Sequence, residues 1–396
     1  MFAGTNNRML ELLWFIGYCR EFPSQLAERI GGHPEWNRHV KYEAIKKGYV
    51  TVYRTKYRQR VIRSLRLTPL GLEYIAKKDS TVFPFVMAQQ DTNSGSRNIT
   101  ERILRYHAQA TALIMARNAG AVFLPGEKPS LLANPLASSA PYDPRKIYYY
   151  PVQEFRAAIQ EPGRRTDQSV KTVAKSSRLL GVIICGRYCH CLYYTGHSRM
   201  YWLAGTEENM VAALEQVLRL RGIAVEVFSE VIIGTKMSVA QKLMKVETQH
   251  SSRYFTISDR YNNIFFITND HRGDALLGVI ADQKKQMEIN RQALDGFIPP
   301  LDTKFYDAMT PDRRRPVVLG YLCDLFTFSN LSAYLDGFEE PAIVLCYPSS
   351  MRKNPAFAFL NTTAKPRRHC LISRLRSIRM LSCWVSIRQT SSARSC

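Results

Sequence analysis

RMLELLWFIGYCR (residues 8–20), PSQLAERI (23–30) and PEWNRHVKYEAIKKGYVTVYRTKYRQRVIRSLRLTPLGLEYIAKK (34–78) are three blocks of one stretch whose periodicity decides the fold. In the first, Met9, Leu12, Leu13 and Ile16 stand at i, i+3, i+4, i+7, which predicts a helix packed on one face. In the second, Pro23 suits a first helical turn, and Leu26, Ala27 and Ile30 follow at helical spacing until Gly31-Gly32 stops the segment. A third helix starts near Pro34, carries Trp36, Val40 and Ala44 on its inward side, and ends at Gly48. There the period drops to 2. Tyr49–Tyr53 reads as a strand and Val61–Leu67 as its partner, with Arg54–Arg60 as a basic tip holding one aromatic, Tyr57. Thr68 then caps a closing helix that has Pro69 in its first turn and continues through Leu72, Tyr74 and Ile75.

Three helices, a basic hairpin and a closing helix resemble a winged helix-turn-helix domain. The phrase Gly48-Tyr49-Val50 followed by Leu67-Thr68-Pro69-Leu70-Gly71 carries the same resemblance. It implies a third helix lying in the major groove of DNA and a hairpin touching the backbone or minor groove beside it. On that reading the helix offers Asn37, Arg38, Lys41 and Tyr42, and the wing offers Arg54, Lys56, Arg58 and Arg60. Lysine and arginine neutralise phosphates and release counterions, which gives salt-dependent affinity with little sequence information. Asn37 and Arg38 are the candidates for reading base edges through paired hydrogen bonds. Winged helices also serve as protein-binding modules, but arginines alternating along a wing tip weigh against that use here.

The whole chain has 396 residues, 45% of them hydrophobic, enough for two or three domains with a sizeable core. Its formal net charge of +22 favours an acidic partner such as nucleic acid or an anionic surface. No apolar run reaches bilayer-spanning length and MFAGTNNRML lacks a signal-peptide core, so a cytoplasmic protein without membrane association is expected. Nine scattered cysteines suit a reducing compartment better than a disulfide framework.

Beyond Lys78, Phe83-Pro84-Phe85 reads as packed, and Gln89–Ser96 as a linker. Asn98 and Glu101 form a capping-box pattern opening a core helix to about Asn118, on which His107 reads as a hydrogen-bonded packing residue. Residues 125–151 read as a loop packed by Tyr148-Tyr149-Tyr150, the alternative being an aromatic platform for stacking bases. A second basic cluster (Arg164, Arg165, Lys171, Lys175, Arg178) precedes runs at 179–186, 189–195 and 200–203 that suggest an antiparallel meander. Cys185, Cys189, His190, Cys191 and His197 fall close together there. Their spacing does not match paired zinc knuckles, and half-buried strand thiols explain them. Asp270, His271 and Asp274 come nearest to an acid–base cluster, though a turn has the same composition. From Arg315 the pattern is β-α-β with a parallel pair, placing Asp324 at a strand's carboxyl end.

From Lys365 the chain is rich in Arg, Ser and Cys, with no Asp or Glu after Glu340. It reads as a nucleic-acid arm or as the product of a shifted reading frame, and in the second case +22 overstates the functional charge. No phosphate loop, dinucleotide fingerprint, zincin motif or nucleophile elbow is found, so no cofactor and no resident metal are expected.

The predicted fold is therefore mixed α+β: a winged helix-turn-helix at 1–80, a linker at 81–98, a larger α/β domain at 99–360 and a basic tail at 361–396. Ser177-Arg178-Leu179-Leu180-Gly181, Tyr193-Tyr194-Thr195-Gly196, Trp202 and Glu207 add a loose resemblance to the replication-relaxation family of plasmid and conjugative-element proteins. That resemblance implies a DNA-binding accessory of plasmid replication or transfer, with double-stranded DNA and relaxase or replication proteins as partners. The alternatives are a metal-dependent, restriction-endonuclease-like nuclease using Glu154, Asp167 or Asp270, and a transcriptional repressor or protein-binding scaffold.

Overall fold

A computed structural model describes residues 5–90, 99–135, 139–161, 173, 176–197, 200–244, 254–257, 260–300, 306–335 and 342–345. It has helices together with antiparallel and parallel sheets, an α+β protein. By compactness the chain forms two units, Met1–Tyr194 with Ala204–Phe228, and Thr195–Leu203 with Ser229–Cys396.

The first unit begins with α1 (Thr5–Cys19), β1 (Phe22–Pro23), a 3-10 turn (Leu26–Arg29), α2 (Pro34–Lys46), the hairpin β2 (Val50–Tyr57) and β3 (Arg60–Leu67), and α3 (Pro69–Lys78). The strand order β1-β3-β2 and the helices around it are those of a winged helix-turn-helix. Leu12, Leu13, Phe15, Ile16, Phe22, Ala27, Val40, Ala44, Val50, Leu65 and Ile75 close its core. Pro23 is not in a helical turn as predicted. It sits on an edge strand opposite Ser64, where its missing N–H removes nothing from the sheet. The second helix shrinks accordingly to the 3-10 turn.

The predicted phrase around Gly48 and Thr68 has a physical basis. Val50 pairs with Leu67, and the Thr68 hydroxyl donates to the Gly48 carbonyl at 2.6 Å while accepting from the Gly71 N–H at 3.2 Å. Gly48 has φ +70°, and a Cβ on Gly71 would collide with the Tyr49 carbonyl. Turn, strand pairing and helix cap are thus fixed together.

Next, α4 (Phe83–Gln89) buries Val86 against Gly17 of α1. The helix α5 (Ile99–Asn118) then shares a core with the winged helix. Arg117 pairs with the buried Glu11 at 2.6 Å, Phe15 stacks on Phe123 at 5.1 Å, and Ser64 shares a 2.8 Å hydrogen bond with His107. His107 is a packing residue as read, and burial lowers its pKa to about 4.

The three tyrosines are not in a loop. They form β4 (Ile147–Pro151), each with 0% exposure, and no base reaches them for stacking. After α6 (Val152–Ile159), β4 pairs antiparallel with β5 (Gly181–Cys185), which pairs antiparallel with β6 (Tyr188–Gly196). The expected third meander strand at 200–203 is only an isolated bridge from Tyr201 to Tyr254, and the third antiparallel strand is β4, which lies on the other side of β5. Helix α7 (Ala204–Leu220) follows, with Glu207 buried in its first turn.

The second unit pairs β7 (Val227–Gly234) in parallel with β8 (Asn263–Thr268), and carries α8 (Met237–Met244), α9 (His271–Ala281) and α10 (Gln283–Ala293). The β-α-β expectation holds: β10 (Pro316–Val318) runs parallel to β11 (Ile343–Val344) with α11 (Leu325–Leu335) between, and β9 (Ala308–Met309) lies antiparallel on the other side. Most of the linker read at 89–96, the helix cap at Asn98, the basic residues at 164–175 with Asp167, and the tail from 361 lie outside the described residues.

Candidate nucleic-acid interface

The hairpin is longer and more regular than its sequence suggests. Residues 54–57 and 60 were expected in a basic loop; they are paired strand residues, with Tyr57 opposite Arg60 and only Arg58 and Gln59 connecting them. Beyond the buried Ser64 lie four rungs, Arg54–Arg63, Thr55–Ile62, Lys56–Val61 and Tyr57–Arg60. At about 3.3 Å per residue they form a ribbon about 13 Å long. None of its residues is buried.

Register sets which cations share a face. Residues opposite each other, and residues two apart, point the same way. Arg54, Arg63, Lys56 and Val61 therefore lie on one face and Arg60 on the other, with Arg58 at the turn stacked over Tyr57 at 5.3 Å. Among the described residues no carboxylate pairs with any of these five cations. Arg66, nearer the core, differs: it pairs with Glu21 and lies 3.9 Å over the Tyr53 ring. Arg63 is absent from the sequence-based list. Its signal is arithmetic, since a two-residue turn at 58–59 places 63 across from 54, but a seven-residue loop hides the register.

The helix α2 is arranged differently from its prediction. Asn37 is buried and donates from its amide to the Ile30 carbonyl, closing the end of the 3-10 turn. It is not available to read bases. Trp36, expected inward, is 43% exposed. The inward stripe is Asn37, Val40 and Ala44 rather than Trp36, Val40 and Ala44. A helix with so few apolar positions admits two phases, and the unsatisfied carbonyl at Ile30 selects the one that turns an amide inward.

Arg38 faces outward and Lys41 is partly covered, and each is engaged. Arg38 shares one nitrogen, Nη1, between both Glu35 oxygens (2.9 and 2.8 Å) and makes a two-pronged contact through Nε and Nη2 with Glu28 (3.4 and 3.2 Å). Lys41 donates to Glu28 at 3.1 Å and to the Ser24 carbonyl at 3.2 Å. Arg38 first, and Lys41 with it, hold Glu28 below the usual carboxylate range. Of the predicted helix residues only Tyr42, 62% exposed, is unencumbered.

The acidic candidates occupy structural positions. Glu154 is joined to the buried Lys128 at 2.7 Å, and Lys128 also donates to the Tyr149 carbonyl at 2.9 Å. Burial raises Glu154 and lowers Lys128, each opposed by the other's charge. Asp270 caps α9, accepting from the Arg272 and Gly273 N–H groups. Asp324 is buried and accepts from Asn263, Ile264, Phe326 and Thr327, a clasp between β8 and the start of α11. Among the described residues no three His, Cys, Asp or Glu side chains gather as a metal site would, and Cys189, His190 and Cys191 are all buried. Glu207, one of the residues behind the family resemblance, is also structural: it accepts from the Ser177 hydroxyl and the Arg178 N–H, both at 2.6 Å.

No family model, curated protein or solved structure matches the chain. Among the described residues no helix is long and apolar enough to cross a membrane.

Proposed function

We propose that this protein binds duplex DNA through its winged helix, as a non-enzymatic accessory of replication or transfer of a mobile genetic element, or as a repressor of its own operon. The observation that carries the DNA reading is the run of unpaired cations on the hairpin. Several cations nearer the core of the same unit sit against carboxylates: Arg8 and Arg117 on Glu11, Arg66 on Glu21, Arg221 on Glu161. Five exposed cations on one ribbon, paired with no carboxylate among the described residues, are costly to hold together unless a polyanion neutralises them. The mobile-element setting rests on the family resemblance alone. The same reading has the protein working in the cytoplasm, where Cys19, Cys189, Cys191 and Cys323 stay as the free thiols they are here.

The test is fluorescence anisotropy with a labelled duplex between low and physiological salt. Affinity should fall steeply with salt, by about 0.9 in log K per log salt for each phosphate contact. Arg58→Ala with Arg60→Ala should flatten that slope by about two contacts. Unchanged binding in the double variant would remove the wing from the interface. Incubation of supercoiled plasmid with magnesium should leave it intact; nicking abolished by Glu154→Gln would instead favour the nuclease.

A further inference from the structure

The two candidate contact elements differ in what they have left to offer DNA, and the difference concerns how the winged helix seats itself. This inference rests on the DNA-binding reading above. On α2, Asn37 is turned into the core, Arg38 is held by Glu28 and Glu35, and Lys41 by Glu28. Around Arg38 and Lys41 two cations face two carboxylates, so that part of the helix has no net attraction for phosphate, and Glu35 at its exposed start repels it. The cation that remains is the exposed Lys46 in the last turn. The uncharged remainder is Trp36, His39 and Tyr42, none of which forms the forked pair that an arginine makes with guanine or an asparagine with adenine.

The hairpin has what α2 lacks. Its strands stay paired to the two-residue turn, so it is a ribbon and not a flexible loop. The major groove of B-DNA, about 12 Å wide, admits a two-stranded ribbon, whereas the minor groove, about 6 Å wide, must be widened to take one. Arg54 and Arg63 lie side by side on one face of this ribbon. Each guanidinium matches the O6 and N7 acceptors of guanine. On the same face Val61 is 55% exposed, an apolar side chain that would be unfavourable in water and suits a thymine methyl. Arg60 on the opposite face and Arg58 at the turn remain for phosphates.

We infer that the hairpin, not α2, enters the major groove, with Arg54, Arg63 and Val61 against base edges and α2 lying outside along the backbone. The usual roles of helix and wing are exchanged, and sequence preference resides in the ribbon.

The experiment uses the full chain. A duplex enriched from a random pool is probed with dimethyl sulfate, which reports access to guanine N7 in the major groove. Three proteins are compared: wild type, Arg54→Ala with Arg63→Ala, and Arg38→Gln. Circular dichroism and urea midpoints establish that each folds. Wild type should protect guanine N7 within the selected site. The Arg54/Arg63 variant should lose that protection and bind ten- to a hundredfold more weakly, with specific and random duplexes no longer distinguished. Arg38→Gln should keep the footprint and bind within threefold of wild type. Loss of the footprint in Arg38→Gln, or its persistence without Arg54 and Arg63, overturns the inference while leaving DNA binding intact. Tight binding with no N7 protection also overturns it, since the ribbon would then lie on the backbone or minor groove. Failure of wild type to bind any duplex at low salt overturns the DNA reading itself.

Discussion

Arg54 stands directly across the β2–β3 hairpin from Arg63, and among the described residues no carboxylate pairs with either. Like charges at opposed positions of an antiparallel pair repel, so this rung weakens the isolated protein. Arg54→Ala and Arg63→Ala should therefore leave the urea midpoint of the free protein unchanged or slightly raised, while each lowers affinity for duplex DNA. A clear drop in midpoint for either variant would mean that the pair holds the hairpin together in a way its register does not explain.

Arg58 occupies the first position of the two-residue turn with φ +51°, a conformation that glycine adopts without a Cβ penalty. Arg58→Gly should stabilise the domain by about 1 kcal/mol, in line with the cost of left-handed backbone in other residues. It should also reduce the salt slope of DNA binding by about one contact. Arg58→Lys should keep the slope and gain no stability. On the proposed DNA-binding reading, an arginine in this conformation gives up stability for a phosphate contact.

Glu28 holds Arg38 and Lys41. Glu28→Gln would release Lys41 and leave Arg38 with Glu35 alone, making α2 more cationic by one charge. Binding to duplex DNA at low salt should strengthen, and the salt slope should steepen by about one contact. Anisotropy titrations at several salt concentrations measure this. No change in slope would indicate that α2 stays out of reach of the backbone even when charged.

Asn37 and Trp36 make opposed predictions for the two phases of α2. Asn37→Ala leaves the buried Ile30 carbonyl without its amide donor and should cost about 1–3 kcal/mol in urea unfolding. Trp36→Ala, on the exposed side, should cost far less than the 3–5 kcal/mol typical of a core tryptophan. The reverse order would restore the helix phase that the sequence suggests.

His107 is buried against Ser64, and burial lowers its pKa from 6.5 to about 4. The unfolded chain thus binds a proton between these values that the folded protein does not. Its contribution to stability is complete above about pH 6.5 and is lost as pH falls towards 4, at up to about 1.4 kcal/mol per pH unit. His190, buried on β6 with its pKa also lowered to about 4, adds a second proton over the same window. Unfolding free energy measured at pH 7, 6 and 5 should decline in this way, and a conservative His107→Gln variant should lose one proton of the dependence.

Much of the fold was legible because its signals are local. The period change at Gly48, the Thr68 cap and the β-α-β pattern after Arg315 each lie within a few residues of the structure they encode. Tyr148-Tyr149-Tyr150 was misread for the opposite reason. A strand buried on both faces has no alternation, and its identity comes from pairing with β5, more than thirty residues away. Asp270 and Asp324 show the same limit for sites. A carboxylate that caps a helix or clasps a strand has the composition of one that does chemistry, and only the hydrogen bonds it accepts tell them apart.

The sequence by itself determined that a basic β-ribbon follows a helix near the amino end, because strand periodicity and the run of arginine and lysine are properties of neighbouring residues. Which of those cations face outward without a counter-charge was decided only by the tertiary structure. Arg38 and Lys41 both meet Glu28, ten and thirteen positions away, and Arg63 joins Arg54 only through the strand register. Ion pairing depends on distance in space. A sequence records charge, but the fold brings charges within reach of each other.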